Sequence, residues 1–325
     1  MHTALDPDVQ ALLARAKEAA YPPFEALTPA QCRKAYAASW EIMQSPGGEV
    51  ASVRDIQIEA EAPLTLRVYR GAQTQDTEVL PCMVFLHGGG WVIGNLESHD
   101  RMCRQLANTA GICVVAVDYR LAPEHPYPAA LQDAAAALQW VVANANTLQI
   151  DPHAVGVGGD SAGGNLAAVL ALMSRDGDLP KLCFQALLYP VTDLTCQFPS
   201  YERVRSDLPL TSSTMRYFIE HYIPSGIDKT DWRVSPLHAS SLAGVAPALV
   251  LTVAHDPLCD EGRAYAHRLD EAGVRVAALH FNDQMHGLLS QGRFIPMANT
   301  VAHQVFSLVG QALHQALKIH SQETT

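Results

Sequence analysis

Apolar residues recur along this chain in two rhythms, and the elements follow from which rhythm holds where. Residues 55–59 (Asp-Ile-Gln-Ile-Glu) and 65–69 (Thr-Leu-Arg-Val-Tyr) alternate polar and apolar side chains, which predicts two half-exposed strands. Six later runs, 83–86, 112–117, 155–157, 184–189, 249–253 and 274–281, are apolar nearly throughout and mostly β-branched. Such runs predict strands covered on both faces. Between most of them the spacing turns helical, over 129–145, 162–173, 261–272 and 300–317. Strands alternating with helices predict an α/β fold: a mostly parallel eight-stranded sheet flanked by helices. In such sheets chemistry gathers beyond the C-terminal ends of the strands.

Two stretches fall outside the rhythm. Residues 1–50 read as two helices, 9–20 and 29–43, separated by Tyr21-Pro22-Pro23, which stops helical continuation. Residues 191–232 are rich in turn formers and aromatics, with one helix-like piece at 212–222. The expected organisation is therefore a core of 51–190 and 233–325, with 1–50 and 191–232 lying outside the sheet.

Composition narrows the function classes. Of 325 residues, 48% are hydrophobic and 17% charged, an ordinary globular balance. A net charge of −11 with no basic run argues against nucleic acid, which would be repelled. The N-terminus has neither a basic start nor an apolar stretch, so no signal peptide is expected. No apolar run approaches the ~20 residues that span a bilayer, so no membrane partner is expected. Seven cysteines, scattered and without a C-x-x-C pair, predict a reduced, cytoplasmic protein. The histidines show no H-E-x-x-H or similar cluster, so no catalytic metal is expected.

Gly159-Asp160-Ser161-Ala162-Gly163 sits between a buried strand and an Ala/Leu-rich helix. A serine on such a strand-to-helix turn needs small neighbours, and the turn pushes its hydroxyl into the open. The plainer reading is that Ser161 only caps its helix. Two nucleotide readings of the same glycines fail. The third glycine of G-x-G-x-x-G falls on Ser161, and the Lys-Ser/Thr of a P-loop is Gly164-Asn165. His87-Gly88-Gly89-Gly90-Trp91 follows another buried strand. Such a glycine loop brings backbone N–H groups close to an oxyanion, with a further donor from Ala162, the residue after the serine. His87 itself reads as a hydrogen-bonding residue of the loop.

A nucleophilic serine needs a base, and the base an orienting acid. Asp256 lies just past the 249–253 run and His286 just past the last one, so adjacent strand ends bring them within reach. His255 and His280 compete as base. Asp260 and Glu261 compete as acid but suit the first turn of the following helix, whose dipole favours negative charge.

These motifs, with Asp118-Tyr-Arg-Leu-Ala-Pro-Glu-His-Pro-Tyr-Pro-Ala129, Asp256-Pro-Leu-Cys-Asp-Glu-Gly262 and Met285-His-Gly287, occur in the order found in the bacterial esterases related to hormone-sensitive lipase, which the chain resembles from His87 to Gly287. The resemblance implies an α/β-hydrolase fold with a helical cap, formed by residues 1–50 and the 191–232 insertion. It also implies serine carboxylesterase activity on short- to medium-chain esters without a cofactor. It implies Ser161, Asp256 and His286 as catalytic triad and Gly88, Gly89, Gly90 and Ala162 as oxyanion hole. Leu288, where the family usually has Phe, and Cys259, where a basic or polar residue is common, depart from its pattern. The block 119–129 reads as a rigid proline-locked turn beneath the glycine loop. In the cap, Tyr21, Phe24, Trp40, Leu208, Leu210, Tyr217 and Phe218 are expected to wall a covered apolar pocket. An amidase, lactonase or deacetylase uses the same constellation. A ligand receptor on this fold is expected to lack a triad member. The expected partner is a small-molecule ester, and whether the chain is a homodimer stays open.

Overall fold

The computed structural model describes residues 4–75 and 77–323. Helices α1 (Pro7–Ala19) and α2 (Pro29–Met43) come first, α2 opening on a capping box between Thr28 and Gln31. The alternating stretches form β1 (Ser52–Ile58) and β2 (Leu64–Arg70). There follow β3 (Leu80–Leu86), α3 (Leu96–Ala110), β4 (Cys113–Val117), α4 (Ala129–Ala143), the single turn α5 (Ala145–Leu148), β5 (Ile150–Asp160), α6 (Ala162–Asp176) and β6 (Phe184–Leu188). The 191–232 stretch holds α7 (Ser200–Arg203) and α8 (Ser212–Tyr222). The chain closes with β7 (Ala248–His255), α9 (Cys259–Glu271), β8 (Val276–Met285) and α10 (Pro296–Glu323).

The eight strands form one sheet in the order β1-β2-β4-β3-β5-β6-β7-β8. Only the β1–β2 and β2–β4 pairings are antiparallel. Period-two alternation divides the core. In β3, Cys82, Val84 and Leu86 face the layer that holds α4, α6 and α9, while Met83 and Phe85 face α3 and α10. Strand β4 repeats this with Cys113, Val115 and Val117 against Val114 and Ala116. Covered on both sides, these strands carry apolar residues at every position, as the sequence pattern demands.

The structure departs from the sequence pattern at three elements. Helix α3 was not anticipated because its stripe (Leu96, His99, Met102, Cys103, Leu106, Ala107, Ala110) is interrupted by charged residues. Its boundaries are nonetheless written locally: Asn95 caps Ser98 N–H, and Gly111 closes the helix in the left-handed region. Strand β8 is half exposed rather than covered on both faces, because it is the sheet's edge. Strand β5 begins five residues early, at Ile150, where Asp151-Pro152-His153 hides the strand signal.

The segments outside the sheet meet each other over the strand ends. Tyr217 of α8 donates its hydroxyl to Leu27 O (2.9 Å), and Thr214 donates to Glu25 Oε2 (2.8 Å). The Phe24 ring lies 5.9 Å from that of Phe218. Phe218, Leu208 and Leu210 are buried, as expected, but Tyr21 is 78% exposed and walls nothing. Trp40 lies beneath the Arg101 guanidinium at the α2–α3 contact. Among the described residues no helix is long and apolar enough to cross a membrane.

Candidate active site

Strand β5 runs through the middle of the sheet and delivers Ser161 at its C-terminal end, where α6 begins. A Cβ at Gly159 or at Gly163 would run into the Leu86 carbonyl, so only glycine lets β3, β5 and α6 approach this closely. Ser161 takes φ 55° and ψ −117°, a region that an L-residue enters at a cost of about 1–3 kcal/mol. Hydrogen bonds over-determine it: Ser161 N–H donates to Leu188 O, while Asn165 N–H and Val191 N–H donate to Ser161 O. Its side chain makes no capping bond to α6, which removes the plainer reading of this serine.

The hydroxyl instead faces an imidazole. His286 follows β8, and its Nε2 lies 3.0 Å from Ser161 Oγ. Asp256 follows β7, and its Oδ2 lies 2.7 Å from His286 Nδ1. Leu258 N–H donates to the other Asp256 oxygen (2.8 Å), which orients the carboxylate. Asp256 is 2% exposed and Ser161 7%, so the line is almost wholly covered. His280 bonds Thr252 Oγ1 on β7, and His255 ends that strand one residue before Asp256. Asp260 forms a bidentate pair with Arg203 (2.8 and 2.9 Å).

Gly88, expected among the oxyanion donors, is otherwise engaged. Its N–H donates to Asp160 Oδ1 at 2.8 Å. Among the described residues the N–H groups of Gly89, Gly90 and Ala162 have no such protein acceptor. Asp160 is buried and also meets His99 Nε2 at 3.2 Å. Burial works to raise its carboxyl, but the charge and hydrogen bond of His99 and the Gly88 N–H outweigh it, holding the carboxyl below its ordinary value. The middle residue of G-x-S-x-G thus ties the serine turn to the glycine loop.

Other residues that sequence reasoning missed hold the same loop. Arg33 of α2 donates to Val92 O and Ala122 O (both 2.9 Å). Its exposed pair with Glu124 adds at most about 1 kcal/mol, so the carbonyl bonds are the positioning contacts. From the 119–129 block, Tyr119 donates to His87 O (2.6 Å) and Ala122 N–H to Trp91 O (2.9 Å), in keeping with its expected supporting role. Trp91 stacks on Tyr222 of α8, and Phe218 fills the space where a Gly90 side chain would stand. Asn165 Nδ2 donates to Val191 O, where the insertion begins, and to Val234 O, just past its end. Glu261 stands in the first turn of α9, as expected, but its carboxylate also accepts from Thr192 N–H and Asp193 N–H. Burial pushes this carboxyl well above its ordinary value. Leu288 and Cys259, the two departures from the family pattern, are both buried.

A serine, an imidazole and a carboxylate aligned at the C-terminal ends of β5, β8 and β7 define the arrangement of a serine hydrolase of the α/β class. Known proteins agree. The model of the alpha/beta hydrolase fold family matches residues 83–290. The ethyl acetate hydrolase of Pseudomonas putida is 37% identical over 300 residues, covering 91% of this chain and 92% of that protein. A carboxylesterase of Mycobacterium tuberculosis is 39% identical over 266 residues, covering 80% and 82%. The crystal structure of an α/β-hydrolase enzyme from the metagenome of Lake Arreo superposes with a TM-score of 0.90 at 38% identity, covering 94% and 98%. The chain belongs to the α/β-hydrolase family, in its branch of carboxylesterases related to hormone-sensitive lipase.

His87 provides a check on this loop. Its ring is buried, stacks on Tyr119 at 4.1 Å between centroids, and places Nδ1 2.8 Å from Gly88 O. Burial, helped by the neighbouring His99, pushes its pKa down from 6.5 to about 3. Between those values the unfolded chain binds a proton there and the folded chain does not. Its contribution to stability is therefore complete above pH 6.5 and is lost as pH falls toward 3. The stability gap between wild type and His87→Asn should shrink by about 1.4 kcal/mol for each pH unit from 6 to 4. Urea titrations of both proteins at several pH values measure it. A gap that stays constant would mean that the ring is charged in the folded loop.

Proposed function

We propose that the chain hydrolyses small carboxylic esters of short to medium acyl length through a covalent acyl-enzyme, with Ser161 as nucleophile, His286 as base and Asp256 as orienting acid. The carrying observation is the unbroken line from Ser161 Oγ to His286 Nε2 (3.0 Å) and from His286 Nδ1 to Asp256 Oδ2 (2.7 Å). His286 takes the hydroxyl proton as Oγ attacks the ester carbonyl carbon. The charge that develops on the carbonyl oxygen is met by the N–H groups of Gly89, Gly90 and Ala162, with Gly88 committed to Asp160. The C–O bond to the alcohol breaks, and His286 gives its proton to the leaving oxygen. Water then attacks the acyl carbon while His286 takes a proton from it. The acid departs, and the proton returns to Ser161.

The chain is a carboxylic ester hydrolase by family, and its relatives include an ethyl acetate hydrolase and carboxylesterases. Residues 1–50 and 191–232 are the cap in this reading, over a catalytic core of 51–190 and 233–325. The contacts of Tyr217, Phe218 and Thr214 with the N-terminal segment and the glycine loop support it. The seven unpaired cysteines suit a reducing cytoplasm.

Replacing Asp256 by Asn should lower kcat about 10⁴-fold, as loss of the orienting carboxylate does in such triads. Asp260→Asn loses only a surface pair with Arg203 and should leave kcat within a few fold. Steady-state kinetics of both variants on one soluble ester compares them, and the reverse ranking would assign the acid to Asp260. Acyl length tests the cap. A covered pocket of the usual few hundred Å³ gains about 0.8 kcal/mol per buried CH₂ until its wall is reached. Across linear p-nitrophenyl esters, kcat/KM should peak at roughly four to eight acyl carbons. A maximum at palmitate, or activation at an oil–water interface, would show an open lipid-binding surface instead.

A further inference from the structure

Far from Ser161, at the opposite end of β5, three side chains meet that nothing in the ester chemistry uses. Asp151 and His153 stand near the start of β5, and His320 near the end of α10. One ligand atom from each can be chosen so that all three lie within 4.8 Å of one another. Asp151 is buried, and its Oδ1 accepts the His153 N–H at 2.8 Å, which fixes the carboxylate beside the imidazole that follows it. The His153 and His320 rings stand face to face, with centroids 3.9 Å apart and planes at 28°.

We propose that Asp151, His153 and His320 form a site for a zinc-class divalent cation that pins the end of α10 to the start of β5. Two imidazoles and one carboxylate are a borderline donor set, which favours Zn²⁺, Co²⁺ or Ni²⁺ over the hard cations Mg²⁺ and Ca²⁺. Zinc bonds of about 2.0–2.1 Å with tetrahedral angles place ligand atoms roughly 3.3 Å apart. The ligand atoms therefore close by about 1.5 Å at most, and the stacked rings turn so that their in-plane nitrogen lone pairs converge on the ion. His153 is exposed and His320 half-buried, so both rings can make that movement, and water completes the coordination. The anchor is Asp151, whose position the turn already sets. A sequence search does not find this trio, because its third member comes from the far end of the chain.

Two other helical histidines make different contacts. His314 of α10 bonds the carbonyls of Ala110 and Gly111, and His267 pairs with Glu271 on its own helix. The site's consequence is mechanical. His153 lies eight residues before Ser161 on one extended strand, a separation of roughly 26 Å, so the ion acts on helix docking and not on the reaction. Ring stacking beside a carboxylate is the plainer account of the trio, and titration with the metal separates the two.

The test uses the full-length chain, purified without a histidine tag and stripped with EDTA. Calorimetric titration with Zn²⁺ at pH 7.5 should show one ion per chain. Saturating Zn²⁺, at about a hundred times Kd, should raise Tm by about 3–6 °C. His153→Ala and His320→Ala should each weaken binding at least tenfold and abolish the Tm shift, while His267→Ala keeps both. All three variants should hydrolyse esters at the wild-type rate, which shows that they are folded. Zinc binding of unchanged affinity in His153→Ala or His320→Ala, or no heat and no Tm shift up to millimolar Zn²⁺, overturns the proposal.

Discussion

The Leu86 carbonyl at the end of β3 presses so closely on the turn around Ser161 that neither Gly159 nor Gly163 has room for a side chain. That contact sets the distance between the glycine loop, which leaves β3, and the serine, which leaves β5. It also holds Ser161 in a strained backbone conformation that no isolated peptide would keep. The apolar sheet around it is what makes the strain sustainable, since β3, β5 and α6 are buried along most of their length. Activity and core packing are therefore coupled at one point of backbone contact, not at a pocket laid onto a finished fold.

Around that point several buried polar groups have defined tasks. Asp160 accepts from Gly88 N–H and from His99, so the serine turn and the glycine loop share one buried carboxylate. Keeping it charged takes the imidazole and the N–H together, because burial alone would raise it. Gly88 is thereby spent on position, which in the proposed mechanism leaves Gly89, Gly90 and Ala162 for the oxyanion. The outside segments enter the same arrangement: Phe218 of α8 lies over Gly90, and Arg33 of α2 holds the carbonyls of Val92 and Ala122. A substrate contact that moved α8 would be felt at the glycine loop directly.

Much of this was legible before any coordinates. Ser161, Asp256 and His286 could be placed because each follows an apolar run, and an apolar run in an α/β protein is a strand with a C-terminal end. The glycine loop was readable for the same reason. Other parts depend on pairings across the chain, which local pattern does not encode. That the Gly88 N–H is taken follows from the Asp160 side chain reaching from the end of β5 to the loop that leaves the neighbouring β3. The roles of Arg33, Asn165 and Glu261 are bonds to backbone groups between about 26 and 90 residues away. Helix α3 was missed for a milder reason: its apolar stripe is real, but charged neighbours obscure it. Strand β8 was expected to be covered because its residues are apolar, yet its place at the edge is a property of the whole sheet.

The central claim is that Ser161 is the group made nucleophilic by this arrangement. Labelling the intact protein with a fluorophosphonate and locating the adduct by tandem mass spectrometry tests it most directly. The account predicts a single phosphonyl adduct on the peptide that contains Ser161, formed in step with loss of ester hydrolysis and absent from a folded Ser161→Ala variant. An adduct on another residue, or a Ser161→Ala protein that still turns over ester at the wild-type rate, would contradict it.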